Sequence, residues 1–244
     1  MRRSPGVGYG IGRPRHGGAT KLRTFLIPLG WFAGLAALLF ASAGTLAWPA
    51  AWIFLAIMVA GSAVFEVMLL RHDPGLLAER LAPPIQRGQK GWDKIWIVAF
   101  ICLFFAWLSL MALDAVRFGW SHVPAWLQGL GGGGILAYFW ISYLIFRENT
   151  FVAPVVKLQL DRGHHVVSTG PYAHVRHPMY AGAVLYLVGT ALLLGSWYGL
   201  AASVVLIAGL AVRAVLEERA LAAELHGYRA YMRRVRYRLV PGIW

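Results

Sequence analysis

Apolar residues run almost unbroken from Phe25 to Trp48, Ala50 to Leu70, Ile95 to Leu113 and Ala125 to Phe146. About 20 such residues carry a helix across a bilayer, so these runs predict four spans. Two shorter runs, Met179 to Leu194 and Leu200 to Val215, are joined by Gly195-Ser196-Trp197-Tyr198-Gly199 and predict a short helical hairpin that crosses and returns. The expected fold is an all-α polytopic integral membrane protein of about six transmembrane helices. Its expected divisions are a disordered basic tail over 1–24, N-terminal spans over 25–124 with a polar loop at 71–94, and a C-terminal core over 125–244. Trp48, Trp52, Trp120, Trp126, Trp197 and Tyr198 fall at run ends, where amphipathic rings settle at headgroup level.

Composition agrees with lipid as the main solvent: 59% of residues are hydrophobic and 14% charged, against roughly one-quarter charged in soluble domains. The net charge of +13 would suggest nucleic acid if it formed one soluble patch. Instead 22 of the 23 Lys and Arg lie in connections on one side of the predicted spans, and Arg117 alone lies on the other. Positive-inside logic puts both termini and the two long loops in the cytoplasm, and the Arg-rich composition points to a bacterial inner membrane. Basic residues, an apolar run and Ala41-Ser42-Ala43 also imitate a signal peptide, but Pro49 turns the first run straight into the second, which favours two retained helices. The single cysteine, Cys102, excludes an intrachain disulfide and a Cys-based metal cluster. Gly131 to Gly134 lacks the Lys-Ser/Thr of a phosphate loop and reads as a helix-packing surface, with Gly129 and Gly133 spaced for close approach.

Residues with chemical potential cluster in two stretches flanking the hairpin, Lys157 to Tyr180 and Arg213 to Arg238. Ionisable groups at a membrane are costly and mark function by default. In the first stretch, Pro171 and Pro178 keep the chain irregular until Pro178 opens a helix, whose N-terminal amides suit a carboxylate. Four of the eight histidines, His164, His165, His174 and His177, fall close together, but their spacing matches no zinc pattern and no metal is expected. In the second stretch, Arg213, Glu217, Glu224, Tyr228 and Tyr231 fall within about 60° of arc if one helix continues through Gly227. The competing reading is a solvated helix with an Arg213 to Glu217 pair at four-residue spacing.

Gly170-Pro171-Tyr172, Arg176-His177-Pro178-Met179-Tyr180, Glu217-Glu218, Gly227-Tyr228 and Tyr231, closing on Pro241, together resemble the isoprenylcysteine carboxyl methyltransferase and phospholipid methyltransferase superfamily. The resemblance covers roughly residues 148–241, and Asp73-Pro74-Gly75-Leu76-Leu77 is similar to bacterial members. It implies an integral membrane enzyme with a cytoplasmic pocket for S-adenosylmethionine. Carried over residue by residue, Gln159, His164, Val166, Gly170, Pro171, Tyr172, Arg176, His177, Pro178, Tyr180, Glu217, Glu218, Tyr228 and Tyr231 would hold the cofactor. Arg176, Glu217 and Glu218 would be catalytic.

Methyl transfer from a sulfonium is an in-line displacement that needs alignment and exclusion of water, without a metal or a covalent intermediate. The acceptor is expected to be lipophilic or membrane-partitioned, methylated on O, S or N, and no nucleic-acid partner is expected. Two other readings stand beside this one: an NADPH-dependent reductase of the sterol-reductase type, and a non-enzymatic transporter or interaction protein.

Overall fold

The computed structural model describes residues 19–244, with side chains from Leu26. The remainder of the basic tail, residues 1–18, lies outside the described residues. Eight α-helices follow in chain order: α1 (Ala19–Ala43), α2 (Pro49–His72), α3 (Pro74–Arg80), α4 (Gly91–Ala112), α5 (Ala125–Glu148), α6 (Pro178–Leu194), α7 (Trp197–Glu224) and α8 (Tyr228–Arg234). There is no strand among the described residues. Five helices, α1, α2, α4, α5 and α7, are long and apolar enough to cross a bilayer, and α6 is a shorter apolar helix of 17 residues.

Local chemistry sets most boundaries. Pro49, Pro74 and Pro178 each occupy a first helical turn, where the missing N–H costs nothing. Asp73 ends α2 and caps α3, its carboxylate accepting from the Leu76 amide at 2.9 Å. Gly195 ends α6 at φ +85°, and Ser196 caps α7 by accepting from the Gly199 amide at 2.7 Å. α4 widens into a π-turn at Leu113–Arg117 before it stops.

One apolar cluster fills the middle of the bundle, with Leu39, Phe54, Leu108, Met111, Ile135, Leu187 and Leu206 all buried. A second, built from Leu69, Leu76, Leu77, Ile145, Phe146, Tyr172, Leu225, Tyr228 and Tyr231, sits under the loops at one end. Large apolar side chains such as Leu29, Ile95, Leu130 and Val204 point outward. This arrangement is stable only where lipid replaces water. Cys102 is among the exposed residues.

Four sequence expectations change. Trp48 is 6% exposed and packed in the core, because the turn into Pro49 folds its ring inward, whereas Trp52, four residues on, stays outside. The close glycine contact is made by Gly131 and Gly134, not by Gly129 and Gly133, which face open space. A Cβ on Gly131 would lie 2.6 Å from the Gly189 carbonyl oxygen of α6. The second arm of the hairpin is also longer than its apolar run, since α7 has 28 residues and spans about 42 Å at 1.5 Å per residue. Its last turns therefore extend beyond a hydrocarbon core of about 30 Å and carry Glu217 and Glu218 with them. Finally, the helix does not continue through Gly227: it breaks at Leu225, Gly227 adopts φ +81°, and α8 starts afresh at Tyr228. Tyr228 and Tyr231 reach the site from this separate helix.

Candidate active site

At the end of the bundle that carries the long connections, α5, α6 and α7 border a cavity of about 280 Å³. Small-molecule sites run roughly 300–1,000 Å³, so this lies at the lower bound of that range. Its wall is built from α3, the 149–177 connection, the first turn of α6, the last turns of α7, and α8.

The connection after α5 owes its path to side-chain hydrogen bonds. The Asn149 carboxamide accepts from the Phe151 amide at 2.8 Å, and its Nδ2 donates to the Tyr172 hydroxyl at 2.8 Å. Val152 to Val156 then runs as a largely apolar wall. It is pinned where the Val156 amide donates to Asp93 Oδ2 at 2.8 Å and where Arg213 Nη2 donates to the Pro154 carbonyl at 2.7 Å. Gln159 Nε2 donates to the Phe151 carbonyl at 2.8 Å, and the chain reverses at Gly163 with φ +69°. The His164 ring stacks on Phe151 at 4.6 Å and faces the cavity. Burial, with His165 and Arg162 nearby, lowers its basicity.

Gly170 has φ +55°, and a Cβ there would sit 2.6 Å from the Glu148 side chain. Tyr172 follows in a short 3₁₀ turn held by Tyr231, whose hydroxyl donates to the Tyr172 carbonyl at 2.8 Å. Burial pushes the Tyr231 phenol up to about 12 and raises Tyr172 and Tyr228 further, so all three are neutral hydroxyls on the wall.

The adjacent glutamates of α7 have opposite fates. Glu218 is 3% exposed and clamped: its Oε1 accepts from Arg176 Nε at 2.5 Å, its Oε2 accepts from Arg238 Nε at 2.8 Å, and His177 Nε2 lies 3.3 Å away. Arg176 Nη1 donates to the carbonyls of Val235 and Arg236, so its guanidinium is committed to holding the C-terminal segment. Glu217 faces the cavity. Its Oε2 accepts from the Tyr180 hydroxyl at 2.6 Å, and its Oε1 has no hydrogen-bond donor among the described residues. Arg213 does not pair with Glu217. Its Nε donates to Asp93 Oδ1 at 2.9 Å and its guanidinium lies 4.4 Å over the Trp96 ring, because Asp93 of α4 is wholly buried beside it.

Of the residues singled out from the sequence, His164, Val166, Tyr172, Arg176, His177, Pro178, Tyr180, Glu217, Tyr228 and Tyr231 line the cavity together. Gln159, Gly170, Pro171 and Glu218 do not, since the first three shape the connection and Glu218 is enclosed by its cations. His174 is exposed, and no group of three His, Cys, Asp or Glu among the described residues is placed to hold a metal. Sequence reasoning missed Arg80, Tyr138, Asn149 and the Val152 to Val156 wall. The one available signal was the capped, amphipathic Asp73 to Arg80 stretch, which places Arg80 one turn beyond the buried Leu76 and Leu77.

A multi-helix bundle with an apolar outer surface and a polar cavity at one end defines an integral membrane protein with a small-molecule site. Residues 127–228 match the family model of the phospholipid methyltransferases, which belong to the isoprenylcysteine carboxyl methyltransferase-like superfamily, as the motifs indicated. The match spans less than half of the chain and points to a membrane methyltransferase, and it gives the reductase reading no support. No curated protein matches it. Methyltransferases of this family generally use S-adenosylmethionine.

Proposed function

We propose that the chain is an S-adenosylmethionine-dependent methyltransferase acting on a lipophilic or membrane-partitioned acceptor at oxygen, sulfur or nitrogen. The observation that carries this reading is Glu217, a carboxylate with one oxygen free of protein donors, facing a cavity enclosed by both motif stretches. The residues present fit the cofactor. An apolar wall from Val152 to Val156 suits a flat base, and Glu217 suits paired hydroxyls or an amino group. When bound, the cofactor supplies an activated methyl group on a sulfonium.

The protein's own residues then do three things. Tyr180 holds Glu217 in place through its hydroxyl, so the carboxylate is oriented before any ligand arrives. Arg176 and Glu218 act as positioning residues that hold the Arg176-His177-Pro178 corner against the C-terminal segment. The aromatic and valine side chains of the wall give the reacting centre an apolar surround that would limit water there once ligands are bound. With the basic end in the cytoplasm, as the positive-inside bias favours, the polar cofactor enters from the aqueous side and the acceptor from the bilayer.

Calorimetric titration of S-adenosylhomocysteine into detergent-solubilised protein tests this reading, with Glu217→Gln as the control. Micromolar binding that is weakened in the variant is the expected result. Folded wild-type protein that binds neither S-adenosylmethionine nor S-adenosylhomocysteine would refute it.

A further inference from the structure

Four cationic side chains line the cavity: Arg80, Lys157, Arg176 and Arg213. Three have a carboxylate of their own, Glu79 for Lys157 at 2.6 Å, Glu218 for Arg176 and Asp93 for Arg213. Arg80 has none within ion-pair distance among the described residues. Its neighbour in sequence, Glu79, is the acid taken by Lys157.

Arg80 is nevertheless held in place. α3 is capped at one end by Asp73 and anchored by the buried Leu76 and Leu77. The Arg80 guanidinium lies 4.5 Å over the Phe146 ring, and one donor, Nη1, makes a 3.3 Å bond to the Val152 carbonyl. The titratable groups that face it are the phenols of Tyr138 and Tyr172, and the Tyr172 phenol is kept neutral by burial. Burial also lowers the basicity of Arg80, as expected for a desolvated cation without a counter-ion. A guanidinium presents a planar fork of donors that matches carboxylate and phosphate. Arg80 is half-buried, and its fixed position, its place on the cavity wall and its lack of a protein anion leave it free to meet a negative charge on the ligand.

We propose that Arg80, contributed by a helix outside the family-matched segment, is the oxyanion-binding residue of this cavity, holding either the carboxylate at the amino-acid end of the cofactor or the phosphate of a lipid acceptor. The carboxylate alternative rests on the S-adenosylmethionine reading above, whereas the phosphate alternative does not.

Calorimetry on the full chain in detergent separates the two sources. Three probes are titrated into the wild type, Arg80→Gln and Arg80→Lys: S-adenosylhomocysteine, 5′-methylthioadenosine, which lacks the charged amino-acid end, and dihexanoyl phosphatidate. Loss of S-adenosylhomocysteine affinity in Arg80→Gln by at least about tenfold, the scale of one charge-assisted hydrogen bond, identifies the carboxylate. In that case 5′-methylthioadenosine binding stays within about twofold and Arg80→Lys recovers part of the loss. Loss confined to phosphatidate identifies the headgroup. The proposal is overturned if both anionic probes bind Arg80→Gln as they bind the wild type, or if 5′-methylthioadenosine weakens as much as S-adenosylhomocysteine, which would mean a collapsed wall. If the wild type binds neither adenosine compound, the cofactor reading fails and the phosphatidate titration alone decides the role of Arg80. A wild type that binds none of the three overturns both.

Discussion

The two ends of this bundle each hold a helical carboxylate with an unpartnered oxygen, and they use it differently. At the end opposite the cavity, Asp114 in the π-turn after α4 is wholly buried. Its Oδ2 accepts from the hydroxyls of Ser121 at 2.6 Å and Ser196 at 2.5 Å, which ties the α6–α7 turn to α4. Its Oδ1 has no partner among the described residues and is sealed in protein. At the loop end, Glu217 also leaves one oxygen without a donor among the described residues, but its side chain is 25% exposed and opens onto the cavity. A polar atom without a partner that is sealed in protein is only a cost, whereas one that faces space is available to a ligand. Burial of charge alone therefore does not mark the site, and an open face beside the charge does.

The largest effect that sharpens this contrast is expected at Glu218. Replacing it by Ala leaves the buried Arg176 guanidinium without its carboxylate, and loss of one partner from a buried pair costs about 3–5 kcal/mol. A marked drop in the thermal unfolding midpoint is the predicted readout, and an unchanged midpoint would show that the clamp is not structural. Glu217→Gln is expected to behave oppositely, with near wild-type stability and S-adenosylhomocysteine affinity reduced about ten- to a hundredfold. Equal stability losses in the two variants would erase the distinction between them.

At the far end, Asp114→Asn is expected to cost about 1–3 kcal/mol of stability by replacing charge-assisted bonds at the α6–α7 turn. Ligand affinity at the other end should stay within about twofold, and abolished binding in folded Asp114→Asn protein would couple the two ends. The smallest effect is expected at His164. Burial depresses its basicity in the folded chain, so below about pH 6.5 the unfolded chain takes up more protons and folded stability falls, with the full penalty reached below the folded pKa. His164→Gln should flatten the change in unfolding midpoint between about pH 7.5 and 5.5, and an identical slope would remove His164 as its source.

Much of the fold was legible because its signals are local. Hydropathy reports the solvent of a run, and Pro49, Asp73, Pro178, Gly195 and Ser196 set helix ends through their own backbone preferences and caps. The site was legible as two stretches flanking a hairpin, since polar residues are rare enough in this chain for any cluster of them to stand out.

The sequence by itself thus determined that the chain is a helical membrane protein, where most helices start and stop, and which two stretches carry the chemistry. Only the tertiary structure decided which face of each helix meets a neighbour. Lipid-facing and core-facing side chains are equally apolar, so no amphipathic stripe separates Gly131 from Gly129 or signals that Trp48 turns inward. It likewise decided that Glu217 opens onto the cavity while Glu218 is enclosed, that Arg213 takes Asp93 from 120 residues away, and that Arg80 joins the wall without an acid of its own. Those outcomes depend on elements that meet only after the helices pack, and spacing along one segment carries no record of them.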